Sequence, residues 1–182
     1  NLVIPYTITS GSLNSYEVKI ESELKQYTEF DSFTIDDGAL VVSIPKDIIP
    51  GNYVVNLDFG KKSCGKENEN IPLKVYYPRS ILVQRWNDVL AVKNEVYNGG
   101  YEFVGYQWFL DGHPLDGFDG SQLYKEGHNL KFDGEYQVLV TRADDGVSMM
   151  TCSFVPTQYS EEELEDMGVL IFTRETTISV DL

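Results

Sequence analysis

A chain of 182 residues with a formal net charge of -15 has room for one large all-β domain or for two modules of roughly 100 residues or fewer. Acidic residues outnumber basic ones in every segment of it: 11 to 7 over residues 1–78, 11 to 6 over 79–156 and 7 to 1 over 157–182. No segment carries the positive surface that nucleic acid or an anionic membrane attracts, and no run of about 20 apolar residues exists to insert into a bilayer.

With 12 Tyr and 9 Phe beside many Val, Ile and Thr, the composition favours pleated, half-buried strands over long helices. Val3 to Ser10 alternates, Tyr16 to Ile20 is apolar at every second position, and Leu40 to Ile44 is a short β-branched run. Turn residues bound each run: Gly11 to Asn14, Asp36-Asp37-Gly38, and Pro45 through Pro50-Gly51. Tyr53 to Phe59 and Ile71 to Tyr77 flank Gly60 to Gly65 as a long hairpin, and Pro78 closes a first module.

The second module opens with apolar stretches on either side of a bend at Asn87-Asp88. Phe103 to Leu110 follows, with Tyr106 and Trp108 on one face, and Asp111-Gly112 is a two-residue hairpin signal because both positions tolerate positive φ. Gln122 to Tyr124 reads as a short strand, Phe132 to Thr141 as a long one, and Asp144-Asp145-Gly146 turns the chain into Val147 to Val155. Gly99-Gly100 reads as a hairpin loop between strands. In the acidic tail, Ser160 is a good N-cap before acidic first-turn residues, which predicts one or two helical turns. Val169 to Phe172 and Thr176 to Val180 look like strand.

Gly51-Asn-Tyr-Val-Val-Asn-Leu57 resembles Gly134-Glu-Tyr-Gln-Val-Leu-Val140 at one module's separation, and each is followed by a loop, a cysteine and a closing strand. The expected organisation is therefore two tandem antiparallel β-sandwich domains, 1–78 and 79–156, followed by an acidic tail, 157–182. The start on strand-like residues without Met or a leader reads as a mature or excised part of a longer protein.

Tyr106-Gln-Trp-Phe-Leu-Asp-Gly112, the spacing to Leu123-Tyr124, and Asp133-Gly-Glu-Tyr-Gln-Val138 resemble the immunoglobulin-like repeats abundant in exported proteins of the Bacteroidetes. Arg85 to Val92 together with Thr151-Cys-Ser-Phe-Val-Pro156 looks like a module recurring in large surface or secreted proteins of that group. Residues 1–78 resemble it more faintly, through Ile4 to Gly11 and Val75 to Pro78. The resemblance implies an all-β fold of two tandem immunoglobulin-like sandwiches and a secreted or cell-surface location. It places Trp108 between the sheets and Tyr136 at the start of the penultimate strand with its hydroxyl satisfied by nearby backbone. It implies no active-site motif.

No His-x-x-x-His, Cys-x-x-Cys or Gly-x-Ser-x-Gly occurs, and His113 and His128 sit beside glycine turns. No cofactor and no enzymatic activity are expected. Asp116, Asp119, Asp144 and Asp145 put oxygen ligands in tight turns, as calcium sites do, but Asp-Gly is also the preferred hairpin dipeptide. Tyr97, Tyr101, Phe118 and Tyr124 are the candidates for a face that binds protein or glycan. Cys64 and Cys152 either pair or remain separate thiols. The expected function is a non-catalytic structural or adhesive module pair, with an accessory module of a carbohydrate-active enzyme as the alternative.

Overall fold

A computed structural model of the chain describes residues 2–7, 15–22, 26–33, 38–60 and 66–167. The chain is an all-β protein of antiparallel sheets with few helices and divides into two compact units, Asn1–Tyr77 and Pro78–Leu182.

The first unit runs β1 (Leu2–Pro5), β2 (Ser15–Glu21), β3 (Gln26–Phe33), β4 (Ala39–Val42), β5 (Gly51–Gly60) and β6 (Lys66–Val75). β1 pairs with β4, and a four-stranded sheet has the order β3-β2-β5-β6. Alternation sets the faces: Tyr16, Val18 and Ile20 of β2 and Tyr53, Val55 and Leu57 of β5 are buried, and Leu40 and Val42 of the two-stranded sheet join the same core. Each such fully buried apolar side chain contributes about 1.5–3 kcal/mol. A one-residue slip of β2 would bury Glu17 and Lys19 instead, so the register is strongly specified.

The second unit contains a 3-10 turn (Arg79–Ile81), β7 (Leu82–Arg85), β8 (Val89–Val92), α1 (Glu95–Asn98), β9 (Phe103–Leu110), β10 (His113–Pro114), β11 (Gln122–Tyr124), β12 (Tyr136–Arg142), β13 (Ser148–Met150) and α2 (Glu161–Asp166). One sheet has the order β11-β8-β7 and the other β10-β9-β12-β13. Leu82, Leu90 and Leu123 are buried from the first sheet, and Trp108, Tyr136, Val138, Val140 and Met149 from the second.

Among the described residues, every strand pairing of the first unit recurs in the second. The pairs β1·β4, β2·β3, β2·β5 and β5·β6 correspond in chain order to β8·β11, β9·β10, β9·β12 and β12·β13. Among the described residues β7 is the one additional strand. The two Gly-x-Tyr segments are the equivalent central strands β5 and β12. Val55 faces Ile20 where Val138 faces Trp108, so an isoleucine stands in the first unit where the second has tryptophan.

Several boundaries differ from the sequence reading. Gln26–Phe33 forms a strand that its polar sequence does not announce, held by backbone pairing at a sheet edge. β6 begins at Lys66, before the apolar run, because pairing with β5 continues out to Gly60↔Lys66. β12 begins at Tyr136 and not at Phe132, because the Gly134 N–H closes a turn onto Lys131 O (3.1 Å). β13 ends at Met150, Thr151 N still donates to Val138 O (3.0 Å), and Phe154 then bridges to Tyr136. Gly99 is the left-handed C-cap of α1 (φ 99), so Gly99-Gly100 ends a helical turn and is not a hairpin loop. Asp111 and Gly112 have φ 50 and 78, the both-positive pattern of a tight hairpin. The turn at Gly11 to Asn14, the loop containing Cys64 and the strand-like segments after Gly168 lie outside the described residues.

The chain beyond β13 is fastened to the β7–β8 hairpin by two side-chain amides. Gln84 donates to Thr157 O (2.6 Å) and accepts from Thr157 N (2.8 Å); Asn87 donates to Tyr159 O (2.9 Å) and accepts from Tyr159 N (2.8 Å). Each amide treats alternate residues as a neighbouring strand would. Ser160 then starts α2 with a capping box shared with Glu163, satisfying two otherwise unpaired N–H groups. Replacing both Gln84 and Asn87 by Ala is expected to speed chymotryptic cleavage after Tyr159 about tenfold or more, since four bonds of roughly 0.5–1.5 kcal/mol are lost. An unchanged cleavage rate would show that the amides do not restrain the segment.

Candidate functional surface

Trp108 is fully buried, and it organises the loop that follows its strand. Its Nε1 donates to Gly120 O (2.9 Å), its backbone N–H to Phe118 O (3.1 Å), and its carbonyl accepts from Leu115 N (2.8 Å). Tyr136 is buried with its hydroxyl accepting from Lys131 N (2.8 Å). Tyr53, its counterpart in the first unit, donates its hydroxyl to Ile49 O (2.6 Å). The sequence reading names Tyr136 for this part and misses Tyr53, although the Gly-x-Tyr repeat contains the signal.

The four aromatic candidates occupy separate elements. Tyr97 is 72% exposed on α1, and Tyr124 is half exposed on β11. Tyr101 stacks on Phe103 (centroids 6.1 Å apart), which meets Tyr106 edge-on. Phe118 is partly buried in the loop clasped to Trp108. Between Tyr97 and Tyr101, the buried Asn98 side chain donates to Lys93 O (3.0 Å) and Tyr101 O (2.9 Å) and accepts from Tyr101 N (2.9 Å). Asn98→Ala strands these groups, and the expected loss is about 1–3 kcal/mol. Tryptophan emission measures it cleanly, because both tryptophans, Trp86 and Trp108, lie in the second unit. An unchanged unfolding midpoint would contradict the assigned role.

The acidic turn residues are engaged or solvated. Asp145 is held bidentate by Arg142, with Nε at 3.0 Å and Nη2 at 2.6 Å, and its Oδ1 accepts from Val147 N (2.9 Å). The Arg142 hydrogen bond draws its carboxyl below the ordinary value, and the bond from Val147 N lowers it further. Asp144 lies 3.7 Å from the same guanidinium, so the oxygens at this turn already face a cation. Asp116 and Asp119 are exposed, as are His113 and His128. Among the described residues no group of three or more His, Cys, Asp or Glu is placed to hold a metal ion. At the opposite end of the sheet Asp111 accepts from Lys131 Nζ (2.7 Å) and Glu135 N (2.9 Å), which lower its pKa in that order. Cys152 is an exposed free thiol.

One surface has an unusual charge pattern. On the outer face of the β10-β9-β12-β13 sheet, Phe109 stands beside Gln137, Gln107 beside Leu139 and Met150, and Gly105 beside Thr141 and Ser148. None of these eight positions is charged. The equivalent face of the first unit carries Glu17, Lys19, Glu21, Asp58 and Lys74. The two amides on the uncharged face are fixed from behind: Gln107 Nε2 donates to Trp108 O (3.1 Å) and Leu115 O (2.9 Å), and Gln137 Nε2 to Thr151 O (2.9 Å). Thr141 and Ser148 share a hydroxyl bond of 2.8 Å.

No model of a known protein family matches the sequence, and no curated protein is significantly similar to it.

Proposed function

We propose that the chain comprises two immunoglobulin-like sandwich modules that serve as a non-catalytic spacer in a larger secreted or cell-surface protein, of the type common in exported Bacteroidetes proteins. The observation that carries the fold reading is the paired tyrosine. Tyr53 and Tyr136 sit at the head of equivalent central strands and bond through their hydroxyls to backbone four and five residues upstream, as the corner tyrosine of an immunoglobulin-like domain does. The strand pairing supports it: β7, β8 and β11 in one sheet and β9, β12 and β13 in the other follow the order of that fold. The extracellular placement rests on the sequence resemblance.

A spacer needs units that hold their shape independently. Stretching the chain between its ends in an atomic force microscope is expected to give two separate unfolding events, one per unit. A single event releasing the whole length at once would sink the tandem-module reading. Protease shaving of intact source cells, read with an antibody to this chain, tests the location: loss of signal is expected, and full protection would place the chain inside.

A further inference from the structure

We infer that the outer face of the β10-β9-β12-β13 sheet is a docking face for a neutral polysaccharide. The inference adds a ligand to the module reading above and relies on it only for the face being open to the extracellular medium.

Charge selects the class of ligand. In a chain of net charge -15, three rows of side chains without one ionisable group form a neutral field with acids at both ends, Asp111 and Glu135 at one and Asp144 and Asp145 at the other. Lys131 and the buried Arg142 compensate one acid at each end, leaving the border negative. Polyanions and a second copy of this chain are repelled at such a border, and a cationic partner finds no counter-charge on the face itself. A neutral ligand meets neither obstacle.

The polar groups on the face have the chemistry of hydroxyl recognition. Gln107 and Gln137 have their NH2 groups tied to backbone carbonyls, so both Oε1 atoms are left as acceptors held in fixed directions. They are diagonal neighbours across the β9–β12 ladder, roughly 7–8 Å apart. The ring of Phe109 lies directly across from Gln137. Sugar rings present hydroxyl donors at their edges and C–H groups on their faces, which suit amide acceptors and an aromatic ring respectively. Because the amides are already ordered, binding costs little further side-chain entropy.

Size argues against a globular partner. At about 4.8 Å between strands and about 6.8 Å between same-face residues, eight positions cover roughly 260 Å², under half of the about 800 Å² per partner that a stable protein interface needs. A narrow extended chain fits that area, and an extended peptide would more readily join a sheet edge than lie on a face.

The test uses the full chain in native gels cast with laminarin, xylan, galactomannan or amylopectin, with polygalacturonate as the anionic control. Retardation by at least one neutral polymer and none by polygalacturonate is expected. Leu139→Lys puts a charge at the centre of the face on an outward position, and it should weaken binding about tenfold or more with the thermal midpoint unchanged; Thr141→Lys, on the next row, is the second variant should the first disturb folding. Gln137→Ala should weaken binding several-fold. The proposal is overturned if none of the four neutral polymers retards the chain, or if retardation survives both lysine variants. It is equally overturned if sedimentation reveals a dimer that Leu139→Lys dissolves, which would assign the face to a second copy. Two unfolding events on stretching, together with no retardation, would reject this face and leave the spacer standing.

Discussion

Trp108→Ala is expected to destabilise the second unit by about 3–5 kcal/mol, the range for removing a large aromatic from a core that cannot collapse around the gap. The side chain is fully buried opposite Val138, and the indole is also the anchor of the loop from Leu115 to Gly120 through its bond to Gly120 O. Trp108→Phe retains most of the apolar volume and loses that bond, so a smaller cost of about 1–2 kcal/mol is expected. Urea titration followed by far-UV circular dichroism checks both, and the first unit's transition should stay where it was. Since a whole small domain is stable by only about 5–15 kcal/mol, the alanine variant should be partly unfolded at moderate temperature. A cost below about 1 kcal/mol, typical of a surface change, would mean that Trp108 does not hold the core.

Asp145→Ala should rank second. The Arg142 side chain is 5% exposed and Asp145 23%, so removing the carboxylate takes a 2.6 Å ionic contact from a guanidinium that little water reaches. Breaking a fully buried pair costs about 3–5 kcal/mol; with one partner reached by solvent, about 2–4 kcal/mol is expected here. The pH dependence follows from the direction of the shift. Asp145 has a folded pKa below its unfolded value, so its stabilisation is complete above the ordinary carboxylate pKa of about 3.9 and is lost as pH falls through the depressed folded value. Wild type should therefore lose stability steeply below about pH 4, and Asp145→Asn less steeply. Some slope should remain in the variant, because Asp111 is shifted the same way by Lys131. Chemical denaturation between neutral pH and acid separates the two, and parallel curves for wild type and Asp145→Asn would refute the pairing.

Much of this architecture is legible in the residue pattern, because alternation reports burial directly. Tyr16-Val18-Ile20, Tyr53-Val55-Leu57 and Tyr136-Val138-Val140 each put their apolar residues on one side of a strand, and the hairpin at Asp111-Gly112 follows from the tolerance of both residues for positive φ. What escapes is structure made by strand pairing. β3 is a polar edge strand whose backbone finds β2, and the first half of β6 is paired with β5. Arg142 is another case: it occupies an inward position on β12 after three buried residues, and the bidentate Asp145 carboxylate, with Asp144 3.7 Å away, helps a charge to be tolerated there. The uncharged face is invisible to a linear reading for a different reason. Its members come from three strands, with β9 and β12 separated by a long stretch of chain, and they become neighbours only once the β9–β12–β13 register is known. The aromatic residues that stand out in the sequence instead settle on separate elements, and Asn98, which fixes the turn between two of them, looks like an ordinary loop asparagine.

The amide fastening of Thr157 and Tyr159 also bears on how the second unit comes into being. Gln84 and Asn87 reach partners 73 and 72 residues further along the chain, so these contacts close a long loop within the unit and cannot form until Thr157 and Tyr159 have arrived. Contacts of such separation slow folding, because loop entropy is lost before any bond repays it. As the chain emerges from its amino end, the strand pairings up to Met150 can therefore form first, and the amide clasp on Thr157 and Tyr159 closes as a late step.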